Sequence, residues 1–226
     1  MFLRFLNMIG FAVCHQLPQR SFLYGTGYIP ICARDTGIYF GFLTSFIFLT
    51  VKNRKHEYGF PPWYVLLFGV MGIGLMAIDG FTSYSGFRTT TNEIRLISGI
   101  LAGSALPLGL VPIFNYQVWK ESSENRVMNG IPHFILLLIV ITATFLIFQI
   151  RPGFLFWPMA ILAAFTVVFI FVYINLILVT LVPFWAQKAE HLKDLAVPFV
   201  LALIMTTAEL GASYAMHAFM LARLTS

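Results

Sequence analysis

Charge is what this chain most lacks. Only 10% of its 226 residues are Asp, Glu, Lys or Arg, against about 25% in an ordinary soluble domain. With 59% hydrophobic residues and a mean hydropathy of +0.84, it cannot cover a globule with polar side chains. That excludes a soluble enzyme and a disordered chain. It also excludes a nucleic-acid module, although the net charge is +5; the basic excess reads instead as loop charge on a membrane protein. Cysteine is nearly absent, at two residues, and no secretory cleavage pattern opens the chain, so a disulfide-scaffold secreted domain is excluded too. The G-x-x-x-x-G-K-[ST], H-E-x-x-H, G-x-S-x-G and C-x-x-C-H patterns do not occur, which removes the nucleotide, zinc-protease, serine-hydrolase and haem-attachment signatures.

What is present is apolar length. A spanning helix needs about 20 mostly apolar residues. Five segments provide this: Pro62–Ile78, Ile94–Val118, His133–Ile150, Phe154–Trp185 and Leu195–Leu221. A shorter one, Ile38–Val51, makes a sixth if it starts near Thr36. Met1–Val13 is amphipathic and carries Arg4, and reads as an interfacial helix or a short seventh span. The expected fold is therefore all-α, a polytopic bundle of six spans and a short N-terminal seventh. It forms one integral membrane domain over residues 1–226, with a motif-bearing half (1–95) and a helical remainder (96–226). Phe154–Trp185 exceeds one upright span, which implies tilt or an extension past the headgroups.

Alternating spans place Lys52, Lys55, Lys120, Lys188 and Lys193, all five lysines, on one face. The positive-inside rule makes that face cytoplasmic. Arginines on the opposite face nearly balance the count, and the assignment holds if several of them are bound into a site. The two most polar stretches, Cys14–Asp35 and Asp79–Arg95, fall together on that opposite face, where one pair of loops could build one site.

The first stretch joins thiol, imidazole and carboxylate: Cys14, His15, Cys32 and Asp35. These are zinc-ligand types, and four of them complete a tetrahedral shell. Adjacent side chains diverge, so one of Cys14 and His15 can point away. A Cys14–Cys32 disulfide closing the loop fits the spacing equally well, as do free thiols. Asp35 or Thr36 also suits a helix N-cap. In the second stretch Asp79 ends a hydrophobic span, where a carboxylate needs a partner or a task. Arg88, Asn92 and Arg95, with Arg34 from the first stretch, surround a helix start capped by Thr91 or Asn92, an arrangement suited to an anion; a plain capped helix is the alternative. Glu209 lies inside the last span, with His217 eight residues later. An ionisable group there suggests a general base, a ligand or an interhelical ion pair. Asp79 and Glu209 are the candidate catalytic carboxylates.

At these stretches the chain resembles a family of predicted prokaryotic membrane proteins of unassigned function. That family carries C-H-x-x-P-x-R-S-F, then C-x-R-C-T-G-x-Y, then D-G-x-x-Q followed by arginine, asparagine and arginine. The matching residues are Cys14, His15, Pro18, Arg20, Ser21 and Phe22; Cys32, Arg34, Thr36, Gly37 and Tyr39; and Asp79, Gly80, Gly86, Arg88, Asn92 and Arg95. Asp35 stands where the family often has a third cysteine, and Ser83 where it has glutamine. The resemblance favours a metal over a disulfide, since cysteine and aspartate are both anionic ligands. The leading expectation is a membrane protein with a metal-supported polar site at the extracytoplasmic face, acting on a lipid-linked phosphate or ester with a divalent metal, zinc by ligand type. The alternatives are a non-catalytic small subunit of a larger membrane complex, and a metal or ion carrier. The expected partners are the bilayer and other membrane subunits, not nucleic acid.

Overall fold

The computed structural model describes residues 1–25, 27–52 and 56–224. Among these described residues seven α-helices carry the fold: α1 (Phe2–Val13), α2 (Ala33–Lys52), α3 (Trp63–Tyr84), α4 (Asn92–Val118), α5 (Gly130–Ile147), α6 (Phe156–Thr180) and α7 (Ala196–Leu224). Four short strands lie in the connections. β1 (Ser21–Tyr24) and β2 (Gly27–Cys32) pair antiparallel between α1 and α2. β3 (Glu57–Gly59) and β4 (Ser123–Arg126) pair in parallel at the opposite end.

Five of the helices, α3 to α7, are long and apolar enough to cross a membrane. α2 has the length, 20 residues, but carries Arg34, Asp35, Thr44 and Ser45 and is less apolar than these five. The reason is position: α2 lies against α4, α5 and α6, and a helix covered by other helices need not present hydrocarbon to lipid. α1, at 12 residues, rises only about 18 Å, short of a hydrocarbon core of about 30 Å. The long fourth apolar segment resolves simply. α6 stops at Thr180, and residues 181–187 leave the helix through turns, so the excess length belongs to the connection. Pro158 and Pro198 both fall in the first turn of their helices, where no intrahelical N–H is lost.

The α2–α4 contact sets the centre of the bundle. Gly37 and Gly41 on α2 face Gly99 and Gly103 on α4. A Cβ at Gly103 would sit 2.0 Å from the Ile38 carbonyl oxygen, and one at Gly37 would sit 2.3 Å from that of Leu96. Only glycine lets the two backbones approach so closely, the small-x-x-x-small device of membrane helix pairs. Around this seam pack Phe42, Leu49, Leu96, Ile100, Leu108 and Val167, all nearly inaccessible.

The chain ends of the elements sort into two sets. The β1–β2 hairpin, the starts of α2, α4 and α6 and the ends of α1 and α3 gather at one end. β3, β4, the starts of α3, α5 and α7 and the ends of α4 and α6 gather at the other. At that second end Lys120 pairs with Glu190, and His56 stacks on Trp119 with ring centroids 4.0 Å apart.

Candidate functional site

The site forms where α1 stops. Cys14 is the C-cap residue, in extended conformation, with its N–H donating to the Gly10 carbonyl. Gln16 then takes a left-handed φ of 51°, which folds the chain back. Its side-chain amide donates to the Asn7 carbonyl at 2.8 Å and the Pro30 carbonyl at 2.6 Å. Gly10 permits this: a Cβ there would sit 2.0 Å from the Pro30 oxygen. So Gln16 fastens the end of α1 to β2, and with it fixes Cys14 against Cys32.

Cys32 ends β2, and its N–H donates to the Cys14 sulfur at 3.2 Å. The Cys32 thiol donates to Asp35 Oδ2 at 3.1 Å. Asp35 lies in the first turn of α2, which begins at Ala33. The expected N-cap role of Asp35 or Thr36 is therefore corrected: both sit inside the helix, and the Thr36 hydroxyl donates back to the Cys32 carbonyl at 2.9 Å. Cys14 and Cys32 are free thiols. The ligand atoms of Cys14, Cys32 and Asp35 all lie within 4.8 Å of one another. A hydrogen bond with Cys32, burial and the nearby Asp35 charge push the Cys14 thiol far above its ordinary range. It is protonated at neutral pH unless a cation takes the proton's place.

The three residues wall a cavity of about 490 Å³, open to the outside, that also exposes His15, Arg20, Arg34 and Tyr84. The guanidinium groups of Arg20 and Arg34 lie over the Tyr84 ring, at 5.1 and 5.8 Å from its centroid. Tyr84 and Arg20 are site residues that the motif reading did not single out as ligand-binding. Arg20 is in the motif, but Tyr84 carries no local signal; only the packing of the end of α3 on the hairpin brings it here.

The remaining candidates fall elsewhere. Asp79, buried near the end of α3, accepts from Arg34 Nη2 at 2.5 Å and Arg88 Nη2 at 2.6 Å, one guanidinium on each oxygen. It is a clamp between α2, α3 and the following loop, not a free base facing the cavity. Asn92 donates to the Gln19 carbonyl at 3.2 Å and accepts from Arg95 at 3.0 Å. Asn92 thus ties the second motif stretch to the first, while Arg88 and Arg95 bond to Asp79, Ser83 and Asn92 within the second; none of the three lines the cavity, and of the four expected anion-binding residues only Arg34 does. Thr91 is the N-cap of α4, accepting from the Ile94 N–H at 3.3 Å. Glu209 lies apart from all of these and accepts from Asn175 of α6 at 2.8 Å, a position that suits an interhelical hydrogen bond and not a ligand of this cavity. His15 lines the cavity, but it lies outside the three-residue ligand group, with its ring against His217 of α7.

Long apolar helices bound to one another by buried glycine seams, with the polar motifs gathered at one end, define a polytopic α-helical membrane protein. Comparison with known sequences gives the family. The chain belongs to the predicted membrane proteins of the DUF2085 family, which matches residues 14–109, from Cys14 into α4. It is 34% identical over 125 residues to an uncharacterized protein of Methanocaldococcus jannaschii, covering 53% of this chain and 78% of the relative. It is 33% identical over 94 residues to an uncharacterized protein of Methanothermobacter thermautotrophicus, covering 42% of this chain and 80% of the relative. No solved structure matches the chain.

Proposed function

We propose that this integral membrane protein holds a divalent metal, zinc by its ligand chemistry, on Cys14, Cys32 and Asp35, and uses it on an anionic, lipid-linked phosphate or ester at the extracytoplasmic face. The observation that supports this reading is the ligand set itself: two sulfurs and a carboxylate within 4.8 Å of one another on the wall of an open cavity. Three protein ligands leave one position of a tetrahedral zinc shell for water or substrate, the arrangement of catalytic rather than structural sites. Two thiolates, one carboxylate and a divalent ion sum to a single negative charge, which Arg20 and Arg34 across the cavity offset. Cys14, Cys32 and Asp35 would hold the ion, which would supply Lewis acidity toward a water and toward the phosphate or ester oxygen, while Arg20 and Arg34 would position the anionic group. The Lys-rich end would face the cytoplasm.

The test is metal content. The full chain, purified in detergent and dialysed against zinc, is compared with Cys32→Ser and Asp35→Cys. The expected result is loss of this metal in Cys32→Ser and retention in Asp35→Cys, since cysteine supplies the same anionic ligand. Equal metal in wild type and Cys32→Ser overturns the reading. A second reading, a non-catalytic subunit of a larger membrane complex, has one observation in its favour. Glu209 is exposed on α7, and a carboxyl group at that depth is more stable against another chain than against hydrocarbon.

A further inference from the structure

His15 and His217 come from opposite ends of the sequence and meet beside the cavity. Their ring centroids are 4.8 Å apart, with the planes tilted by 37°. The contact is held from several directions. Ser213, one turn earlier on α7, donates to the Ala12 carbonyl. Tyr214 packs edge-on against Phe11, with centroids 5.3 Å apart. His217 Nδ1 lies 2.8 Å from the Phe11 carbonyl oxygen. That oxygen can only accept, so Nδ1 carries a proton, and in the neutral ring Nε2 then carries the lone pair. A ring nitrogen tied to a backbone carbonyl, leaving the other nitrogen basic and oriented, is the usual support of a metal-binding histidine.

We propose that His15 and His217 form a second metal site, separate from the thiol cluster, for a borderline divalent cation of the zinc, nickel or copper kind. The ring spacing fits. With metal–nitrogen bonds of about 2.1 Å and a tetrahedral angle, two imidazole centroids stand about 5 Å apart. Imidazole is also the ligand these cations share. Position fits as well. Cys14 groups with Cys32 and Asp35, while the His15 ring, at the edge of the same cavity, lies against His217, so the Cys14-His15 pair serves two ions instead of crowding one. Water completes the shell of a two-histidine site. The bound cation ties α7 to the end of α1, beside the mouth of the cavity.

The experiment counts zinc by equilibrium dialysis on the full chain in detergent, for wild type, His15→Asn, His217→Asn, Cys32→Ser with Asp35→Asn, and that pair combined with His217→Asn. Asparagine at 217 keeps an N–H for the Phe11 carbonyl and removes the ligand nitrogen. Metal-free melting temperatures equal to wild type would show that the fold is kept. The expected result is about two zinc ions in wild type and about one in each histidine variant, with about one in Cys32→Ser/Asp35→Asn that disappears when His217→Asn is added. Unchanged stoichiometry in both histidine variants overturns the proposal. So does a wild-type value of one that the histidine and the cysteine substitutions each abolish, because that describes a single mixed centre. If the thiol-site variant binds as wild type while the histidine variants lose one ion, the proposed function fails and the histidine site stands.

Discussion

Asp79 is the carboxylate whose removal should cost this protein most stability. Its carboxylate is nearly inaccessible, with 4% of the side chain exposed, and each oxygen holds one guanidinium. The two arginines are not equivalent. The Arg34 side chain is 12% exposed and that of Arg88 is 47% exposed. Arg34 also has a buried Nε with no partner among the described residues, so Asp79 is its principal counter-charge. Replacing Asp79 by Leu strands the Arg34 charge in the bundle, and breaking a buried pair on one side costs about 3–5 kcal/mol. Replacing Arg88 by Ala leaves the Arg34–Asp79 pair intact and removes a half-solvated partner, a loss of about 1 kcal/mol or less. Arg34→Met leaves Asp79 with Arg88 alone and should fall between the two. The double substitution Arg34→Met/Asp79→Leu removes both buried charges together and should recover much of the loss, since an apolar pair of similar volume can replace a buried ion pair without penalty. The assay is reversible denaturant unfolding in mixed micelles, followed by tryptophan fluorescence, read as a double-mutant cycle. If Asp79→Leu costs no more than Arg88→Ala, or if the double variant loses the sum of its singles, the buried-clamp reasoning is refuted.

Two further predictions rest on close approach. Gly103→Val should abolish folding or leave only a minor, unstable fraction, because even its Cβ would lie 2.0 Å from the Ile38 carbonyl oxygen on the facing helix; circular dichroism and gel-filtration profile would check this, and a normal profile would count against the α2–α4 seam. Gln16→Ala should lower stability by about 1–3 kcal/mol, since the Asn7 and Pro30 carbonyls lose their amide donor. Metal retention should fall with it, because Cys14 is then no longer fixed against Cys32; zinc content and melting temperature measured on the same sample would test both effects.

The helical class was legible because hydrocarbon imposes it: runs of about 20 apolar residues permit few other structures. The ends of the helices were less legible, because hydropathy does not see capping or turns. Residues 181–185 are as apolar as the helix before them, yet the chain turns there. The β1–β2 hairpin is not legible in the sequence, since the six residues of Gly27–Cys32 are too few for a clear alternation and include Pro30. The glycine seam was written in the sequence as Gly37/Gly41 and Gly99/Gly103, two i, i+4 pairs, but spacing alone does not say which helix each pair faces.

The candidate site divides along a physical line. Ligand type singled out Cys14, His15, Cys32 and Asp35; Cys32 and Asp35 stay together because they are three residues apart, whereas Cys14, 18 residues before Cys32, is brought there by the β1–β2 hairpin and the Gln16 bonds, and His15 falls outside the group. The arginines were harder to place. A guanidinium presents the same sequence signal whether it binds a ligand or satisfies a buried carboxylate, and here Asp79 and Asn92 occupy Arg34, Arg88 and Arg95. Arg34 does both, paired with Asp79 at one nitrogen while it lines the cavity and lies over Tyr84. The stability of the clamp and the charge of the cavity are therefore coupled through one side chain. An Arg34→Lys chain, which keeps the charge but loses the planar fork and the stacking, separates the two roles more cleanly than any removal of charge.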